Sequence, residues 1–257
     1  LHESNRVPGR AIRVLGRLAD RVYFPPGVRV STVRASATRH VGQPLRREIV
    51  RGPQAAARAA LGMDPSRRLL LVLGGSQGAS SLNDWARSRL EFLGAEGVQV
   101  YCVTGLGKGR DGIVETKTRA GQPIRMEFTA FSGRMAQLLS AADLVVSRAG
   151  AGTLAELIRC EAPAILVPYP KAADDHQRAN AAYFERQGGG IVVEEGRLTG
   201  LHAEVMDVIF NDWLLRKFRS NLQRMDRANA LDLMLADLEE IARDSGASSR
   251  GAHALTA

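Results

Sequence analysis

Twice in this chain a short apolar run ends in a glycine-rich turn that opens into a helix-period segment, and that arrangement restricts the fold more than any other feature. Leu69 to Leu73 leads into Gly74-Gly75-Ser76-Gln77-Gly78, after which Leu82, Trp85, Ala86 and Leu90 mark one helix face. Leu144 to Ser147 leads into Arg148-Ala149-Gly150-Ala151-Gly152, and Leu154, Leu157 and Ile158 supply the buried stripe of the helix that follows. Short apolar runs alternating with helical patterns are the mark of βαβ units, so the chain is expected to be an α/β protein with a Rossmann-like parallel sheet.

The same rhythm places strands at Val98 to Val103, Ile124 to Phe128, Ala164 to Pro168 and Ile191 to Glu194. Helices are expected over Met135 to Ala142, His176 to Gln187, Trp213 to Met225 and Ala230 to Ile241. Residues before this region do not share the pattern: a helix over Ala11 to Ala19, a strand over Arg21 to Phe24 and a Pro25-Pro26-Gly27 break read as the end of another domain. Gly42-Gln43-Pro44 is the expected linker, because proline fixes its own φ and disfavours helix in the residue before it. The expected division is therefore 1–43 for the domain remnant, 44–211 for the complete domain, 212–244 for C-terminal helices and 245–257 for a small, polar, disordered tail. The chain opens on Leu1 inside a polar motif rather than on an apolar first strand, which predicts that most of the first domain is missing.

Charge narrows the partners. The net charge of +8 points to a polyanion: nucleic acid, an anionic membrane face or a phosphorylated substrate. Base-stacking modules interleave aromatics with basic residues, and here aromatics make up 5% of the chain without such clustering, so no nucleic-acid partner is expected. The apolar runs are too short to cross a bilayer, and Cys102 and Cys160 stand at neither paired nor metal-like spacings, which points to a soluble chain in a reducing compartment. A basic helix carrying Arg216, Lys217, Arg219, Arg224 and Arg227 is read as a solvated face rather than a lipid contact.

In open parallel sheets, ligands sit outside the carboxyl ends of the strands. Three polar loops occupy that place. Gly74 to Gly78 allows close backbone approach and Ser76 adds a hydroxyl, which suits phosphate, although a glycine turn also serves tight packing alone. Ser147 to Thr153 sets Arg148 beside free helix amides, and Glu156 one turn later can accept hydrogen bonds from a ribose diol or merely complement the helix dipole. The third loop offers Lys171, Asp174, Asp175, His176, Gln177 and Asn180, of which the last three line one helix edge suited to sugar hydroxyls; Asp174 and Asp175 are equally readable as N-capping carboxylates. No third ligand is spaced to complete a metal site.

His2-Glu3-Ser4-Asn5, Gly42-Gln43-Pro44-Leu45-Arg46, Gly74 to Ala79, Ser147 to Gly150 and Ala172-Ala173-Asp174-Asp175-His176-Gln177 occur in an order and spacing that resemble the MurG family of bacterial cell-wall transferases over about residues 1 to 240. The resemblance implies a GT-B fold of two Rossmann-like domains. It also implies inverting transfer of N-acetylglucosamine from UDP-N-acetylglucosamine to lipid I, giving lipid II for peptidoglycan, without a metal or other cofactor. The expected setting is peripheral, at the cytoplasmic face of the bacterial inner membrane and within a cell-wall synthesis complex.

By the same resemblance, Arg46, Ser76 and Gln77 bind near the diphosphate, Arg148 neutralises phosphate charge beside Gly150, and the backbone near Ser132 meets uracil. Glu156 grips the ribose, His176, Gln177 and Asn180 face the sugar, and Asn5 reaches in from the first domain. The family's N-terminal Gly-Gly-x-Gly-Gly-His loop, which carries its proposed base, has no counterpart in the sequence; Lys171 and Cys102-Val103 also depart from the family pattern. Alternatives are another GT-B sugar transferase, an epimerase, or a catalytically silent UDP-sugar-binding fragment.

Overall fold

The computed structural model describes residues 1–75, 78–109, 111–227 and 229–253, with side chains to residue 243. The chain divides into two compact units, Arg46–Asp226 and Leu1–Leu45 joined by the chain from Arg227 onward. In the smaller unit, α1 (Arg10–Leu15) precedes β1 (Val22–Phe24), which pairs in parallel with β2 (Thr38–His40). Its core is Ile12, Val22, Phe24, Val28, Val33 and Ala37.

The larger unit holds α2 (Gln54–Ala60), β3 (Arg68–Leu73), α3 (Ser80–Ser88), α4 (Leu90–Ala95), β4 (Val98–Val103), β5 (Gly112–Lys117), β6 (Pro123–Thr129) and α5 (Met135–Ala141). The chain continues through β7 (Leu144–Ser147), α6 (Ala151–Arg159), β8 (Ala164–Leu166), α7 (His176–Arg186), β9 (Gly190–Val192), α8 (Leu201–Ile209) and α9 (Asp212–Met225). Seven strands form one sheet in the order β5-β6-β4-β3-β7-β8-β9, parallel except for the β5 edge. The strands read from unbroken apolar runs are buried on both faces: every residue of β4 and β7, and all of β3 after Arg68, is covered. Leu70, Val72, Val100, Cys102, Met126 and Val146 share one core with Leu82 and Trp85 of α3, Leu201 and Val205 of α8, and Leu215 and Phe218 of α9.

Three differences from the sequence reading have physical causes. Strand β5 was not foreseen because only Thr116 of its six residues is buried, so no apolar pattern marks this antiparallel edge. The expected helix through Leu90 breaks at Arg89 into α3 and α4. Helix α10 (Ala230–His253) runs into the segment expected as an irregular tail; extending an existing helix adds a hydrogen bond per residue without a new nucleus, and the run contains no proline. Residues 254–257 lie outside the described residues.

The block 212–244 divides between the units. Helix α9 packs on α6 and α8 in the larger one, whereas α10 belongs to the smaller one. There Asp237 accepts hydrogen bonds from the Tyr23 hydroxyl at 2.8 Å, Arg21 Nε at 3.1 Å and Arg39 Nε at 3.2 Å. These donors hold the Asp237 carboxyl below its ordinary range despite its burial, while burial and the carboxylate push the Tyr23 phenol up to about 12.

At the amino end of the larger sheet, Asp143 sits just before β7 and is almost wholly buried. One carboxylate oxygen accepts from Arg58 at 2.5 Å and from the Leu69 amide at 2.8 Å, and Arg58 also donates to the carbonyls of Ala141 and Pro65. This network ties α2, α5, β3 and β7 together without leaving either charge unpaired. Removing one partner of such a buried pair is costly because the other charge stays desolvated. Asp143→Ala is expected to lower unfolding free energy by about 3–5 kcal/mol in urea titrations. Glu48→Ala, which breaks a well-exposed pair with Arg46, is expected to cost under about 1 kcal/mol.

Candidate functional site

Strand order fixes where a ligand fits. From β3 the chain turns through α3 to β4 on one side; from β7 it turns through α6 to β8 on the other. The loops leaving the carboxyl ends of these neighbouring strands diverge and leave a crevice between them. The turn after β3 folds tightly on itself: a Cβ at Gly74 would lie 2.3 Å from the Ala79 amide nitrogen, and one at Gly78 would lie 2.4 Å from the Thr104 carbonyl oxygen. Gly78 also has φ of 67°, a conformation that side chains disfavour. Ser76 and Gln77, expected at a diphosphate, lie outside the described residues.

The turn after β7 behaves differently. Gly150 has an ordinary φ of −68°, and a Cβ there would approach only Thr153 Oγ1, at 3.9 Å; a Cβ at Gly152 would meet nothing within 4 Å. Neither backbone conformation nor packing requires glycine at these two places. What their bareness provides is open access to the start of α6, whose first-turn amides receive no side-chain cap. Uncapped amides and the helix dipole together make an anion site.

Arg148, expected to neutralise phosphate charge, has a buried guanidinium with acceptors inside the protein: one terminal nitrogen donates to the Val167 carbonyl at 3.1 Å and Glu195 Oε2 at 3.0 Å, the other to Ser81 Oγ at 3.0 Å and Glu195 Oε1 at 2.8 Å. Tyr169 adds its ring, 5.4 Å from the guanidinium. Arg148 is thus a strut that binds the start of α3, the end of β8 and the turn after β9, because a buried guanidinium must find acceptors within the protein. The Glu195 carboxyl is held below its ordinary range, first by hydrogen bonds from Arg148, then by that from Ser81, against the opposing effect of burial.

Two of the residues expected at the sugar hold backbone groups of neighbouring loops. Asn180 is buried and donates to the Ala149 carbonyl at 3.1 Å. Gln177 Oε1 accepts from the amides of Ala149, at 3.3 Å, and Tyr169, at 3.0 Å, so this side chain pins two loops together. His176 is half-buried, and its Nδ1 faces the Ala173 carbonyl at 2.7 Å, so that nitrogen carries the proton and Nε2 is the atom left for a ligand. The Asp175 side chain does not cap α7; Asp174 and Asp175 both adopt left-handed backbone, φ 50° and 53°, in the turn that leads into it.

Glu156 is half-buried on α6, and among the described residues no group donates to its carboxylate. Burial raises its pKa, opposed only by the charge of Arg46. Arg46 itself is exposed and paired with Glu48 at 3.2 Å. Ser132 is half-buried and accepts from the Arg134 amide at 3.1 Å, beside a Phe131 that is 69% exposed. Asn5 belongs to the smaller unit, where its amide and side chain both donate to Glu3 Oε1. Sequence reasoning missed Glu195 and Ser81; the available signal was position, since both begin or follow elements at the same carboxyl edge of the sheet. Among the described residues no group of three or more His, Cys, Asp or Glu side chains is placed to hold a metal ion, and no helix is long and apolar enough to cross a membrane.

The seven-stranded sheet, parallel but for one edge and with helices leaving the carboxyl ends of its central strands, is a Rossmann-like domain of the GT-B type. Residues 69–233 match the glycosyltransferase family 28 C-terminal domain, and the chain belongs to that family. It is 64% identical over 248 residues to the UDP-N-acetylglucosamine--N-acetylmuramyl-(pentapeptide) pyrophosphoryl-undecaprenol N-acetylglucosamine transferase of Opitutus terrae, covering 96% of this chain and 66% of the relative. The transferase of the same name from Aquifex aeolicus is 32% identical over 250 residues, covering 93% of this chain and 67% of the relative. The chain thus spans about two thirds of these relatives. Among solved structures, Acinetobacter baumannii MurG matches with a TM-score of 0.70 at 23% identity, over 93% of this chain and 65% of that one. The kitacinnamycin glycosyltransferase matches at 0.60 and 19%, over 87% and 55%. At these identities the structures speak for the fold alone.

The contrast between the two glycine turns is testable by denaturation. Gly152→Ala is expected to raise stability by up to about 1 kcal/mol, since alanine favours helix and finds open space. Gly74→Ala is expected to lower it by about 1–3 kcal/mol, because its methyl meets backbone that must shift. The depressed Glu195 carboxyl gives a pH signature: its stabilisation is complete above the unfolded value of 4.5 and is lost as pH falls through the lower folded value. The stability gap between the wild type and Glu195→Gln should therefore be widest near neutrality and close on acidification below 4.5.

Proposed function

We propose that the larger unit holds the nucleotide diphosphate of a UDP-sugar, and that the chain is the donor-binding part of an N-acetylglucosaminyltransferase acting on lipid I to form lipid II. The observation that carries this reading is Glu156, a half-buried carboxylate with no donor from the described residues, one turn beyond the uncapped start of α6. Leaving a carboxylate partly desolvated and unpaired works against stability, and the arrangement is repaid when a ribose diol donates to it. The similarity to peptidoglycan transferases supports N-acetylglucosamine as the sugar and a muramyl lipid as the acceptor.

In this reading the departing diphosphate gathers negative charge as the anomeric bond breaks. The amides opening α6 are already oriented toward that charge, so they stabilise it without reorganisation. Arg46, exposed and held only by Glu48, is able to leave its surface pair and approach the diphosphate. Arg148 acts indirectly, by fixing the loop that presents the amides. His176 Nε2 is the donor or acceptor left for the sugar. The place of action is the cytoplasmic face of the bacterial inner membrane, with peripheral attachment and association with other cell-wall enzymes.

Calorimetry with UDP-N-acetylglucosamine tests the site. Glu156→Ala is expected to weaken binding by about 2–4 kcal/mol as two charge-assisted hydrogen bonds vanish. Because the folded state raises the Glu156 pKa, its ionised form disfavours folding at neutral pH, so Glu156→Gln should leave thermal stability at pH 7 unchanged or higher. Unchanged affinity in both variants removes Glu156 from the site and this reading with it.

A further inference from the structure

Resting on the donor-site reading, we propose that Glu195 is a specificity-determining residue: by cancelling the charge of Arg148 it keeps the diphosphate site nearly neutral, so the site retains the more highly charged nucleoside diphosphate released from a nucleotide diphospho-sugar less tightly than an uncancelled Arg148 would. The pair is held in fixed geometry. Both terminal nitrogens of Arg148 contact Glu195, at 3.0 and 2.8 Å, and Ser81 Oγ donates to Glu195 Oε1 at 2.6 Å while accepting from Arg148. Ser81 lies in the first turn of α3 and Arg148 immediately precedes the loop to α6, so the cancelled charge sits beneath the glycine turns, between the two helix starts that open on the crevice.

The two arginines near this site differ in a telling way. Arg46 pairs with Glu48 where both are well over half exposed, a contact that water and ligand readily replace. The Arg148 side chain is 9% exposed and its Glu195 partner 23%, so that charge stays cancelled while the site fills. A diphospho-sugar carries two negative charges, one on each bridging phosphate. Once the sugar leaves, the terminal phosphate gains a second ionisation near neutrality and the nucleotide carries close to three. The α6 amides favour the second form alike in wild type and variants, whereas an uncancelled Arg148 guanidinium would add a further preference for it by the Coulomb energy of the added charge. Glu195 thereby weakens retention of the spent nucleotide without weakening the donor.

The test is a ratio of dissociation constants for UDP and UDP-N-acetylglucosamine, measured by calorimetry at pH 7.5 in wild type, Glu195→Gln, Arg148→Gln and the double variant. Glu195→Gln is expected to shift the ratio toward UDP by roughly three- to tenfold, with the shift fading at high salt. The double variant should return to the wild-type ratio. An unshifted ratio in Glu195→Gln, or a shift that persists without Arg148, overturns the proposal. A second measurement isolates the added charge: the preference for UDP over its β-methyl ester, which lacks that charge, should rise roughly three- to tenfold from wild type to Glu195→Gln, and an unchanged preference overturns the proposal. Wild type binding none of these nucleotides sinks the donor-site reading and this inference together; binding with the wrong ratios sinks this inference alone.

Discussion

The short strand β7 is held between two buried charges of opposite sign, and the larger unit is organised around that fact. Asp143 enters the strand and Arg148 leaves it; neither faces water, so each has drawn partners from across the fold. At the amino end Asp143 gathers Arg58 and the Leu69 amide, which registers β3 against β7 and anchors α2 and α5. At the carboxyl end Arg148 gathers Glu195, Ser81 and the Val167 carbonyl, which brings α3, β8 and the turn after β9 to one point. The apolar core supplies most of the driving force, but it is indifferent to small rotations of one element on another. The two charge clusters are directional and remove that freedom.

That rigidity lets the crevice itself remain sparsely furnished. The α6 amides stand uncapped, Gly150 and Gly152 present no side chains, and Glu156 keeps an unpaired carboxylate. Each is a small loss to the folded state. They are sustained because Gln177 and Asn180, from α7, fasten the Ala149 backbone on both its amide and carbonyl sides. Residues that resemble ligand contacts in sequence thus also fasten the loops around the candidate site to one another.

The sheet was largely legible in the sequence because doubly buried strands leave unbroken apolar runs: β4 and β7 match their expected bounds, and β3 begins one residue earlier, at Arg68. Strand β5 was not, since an exposed edge needs no apolar pattern, and neither were α2 and α8, whose short apolar stripes fall between stronger signals. At the candidate site, the glycine turns and Glu156 were legible as features because their chemistry is local. The intramolecular partners of Arg148, Gln177 and Asn180 were not legible, because a polar side chain near a loop reads the same whether it points outward or back into the protein. Only the long-range partner, such as Glu195, distinguishes the two, and pairing across 47 positions leaves no trace in spacing.

Asp237 carries a consequence of a different kind. It lies on α10, yet it completes a cluster with Arg21, Tyr23 and Arg39 near the other end of the chain. On the ribosome those three residues emerge long before their carboxylate has been made, whereas the larger unit, continuous from Arg46 to Asp226, has all of its sequence in hand. Translation therefore completes the sequence of the seven-stranded sheet first, and the cluster of Arg21, Tyr23 and Arg39 closes only once α10 has emerged.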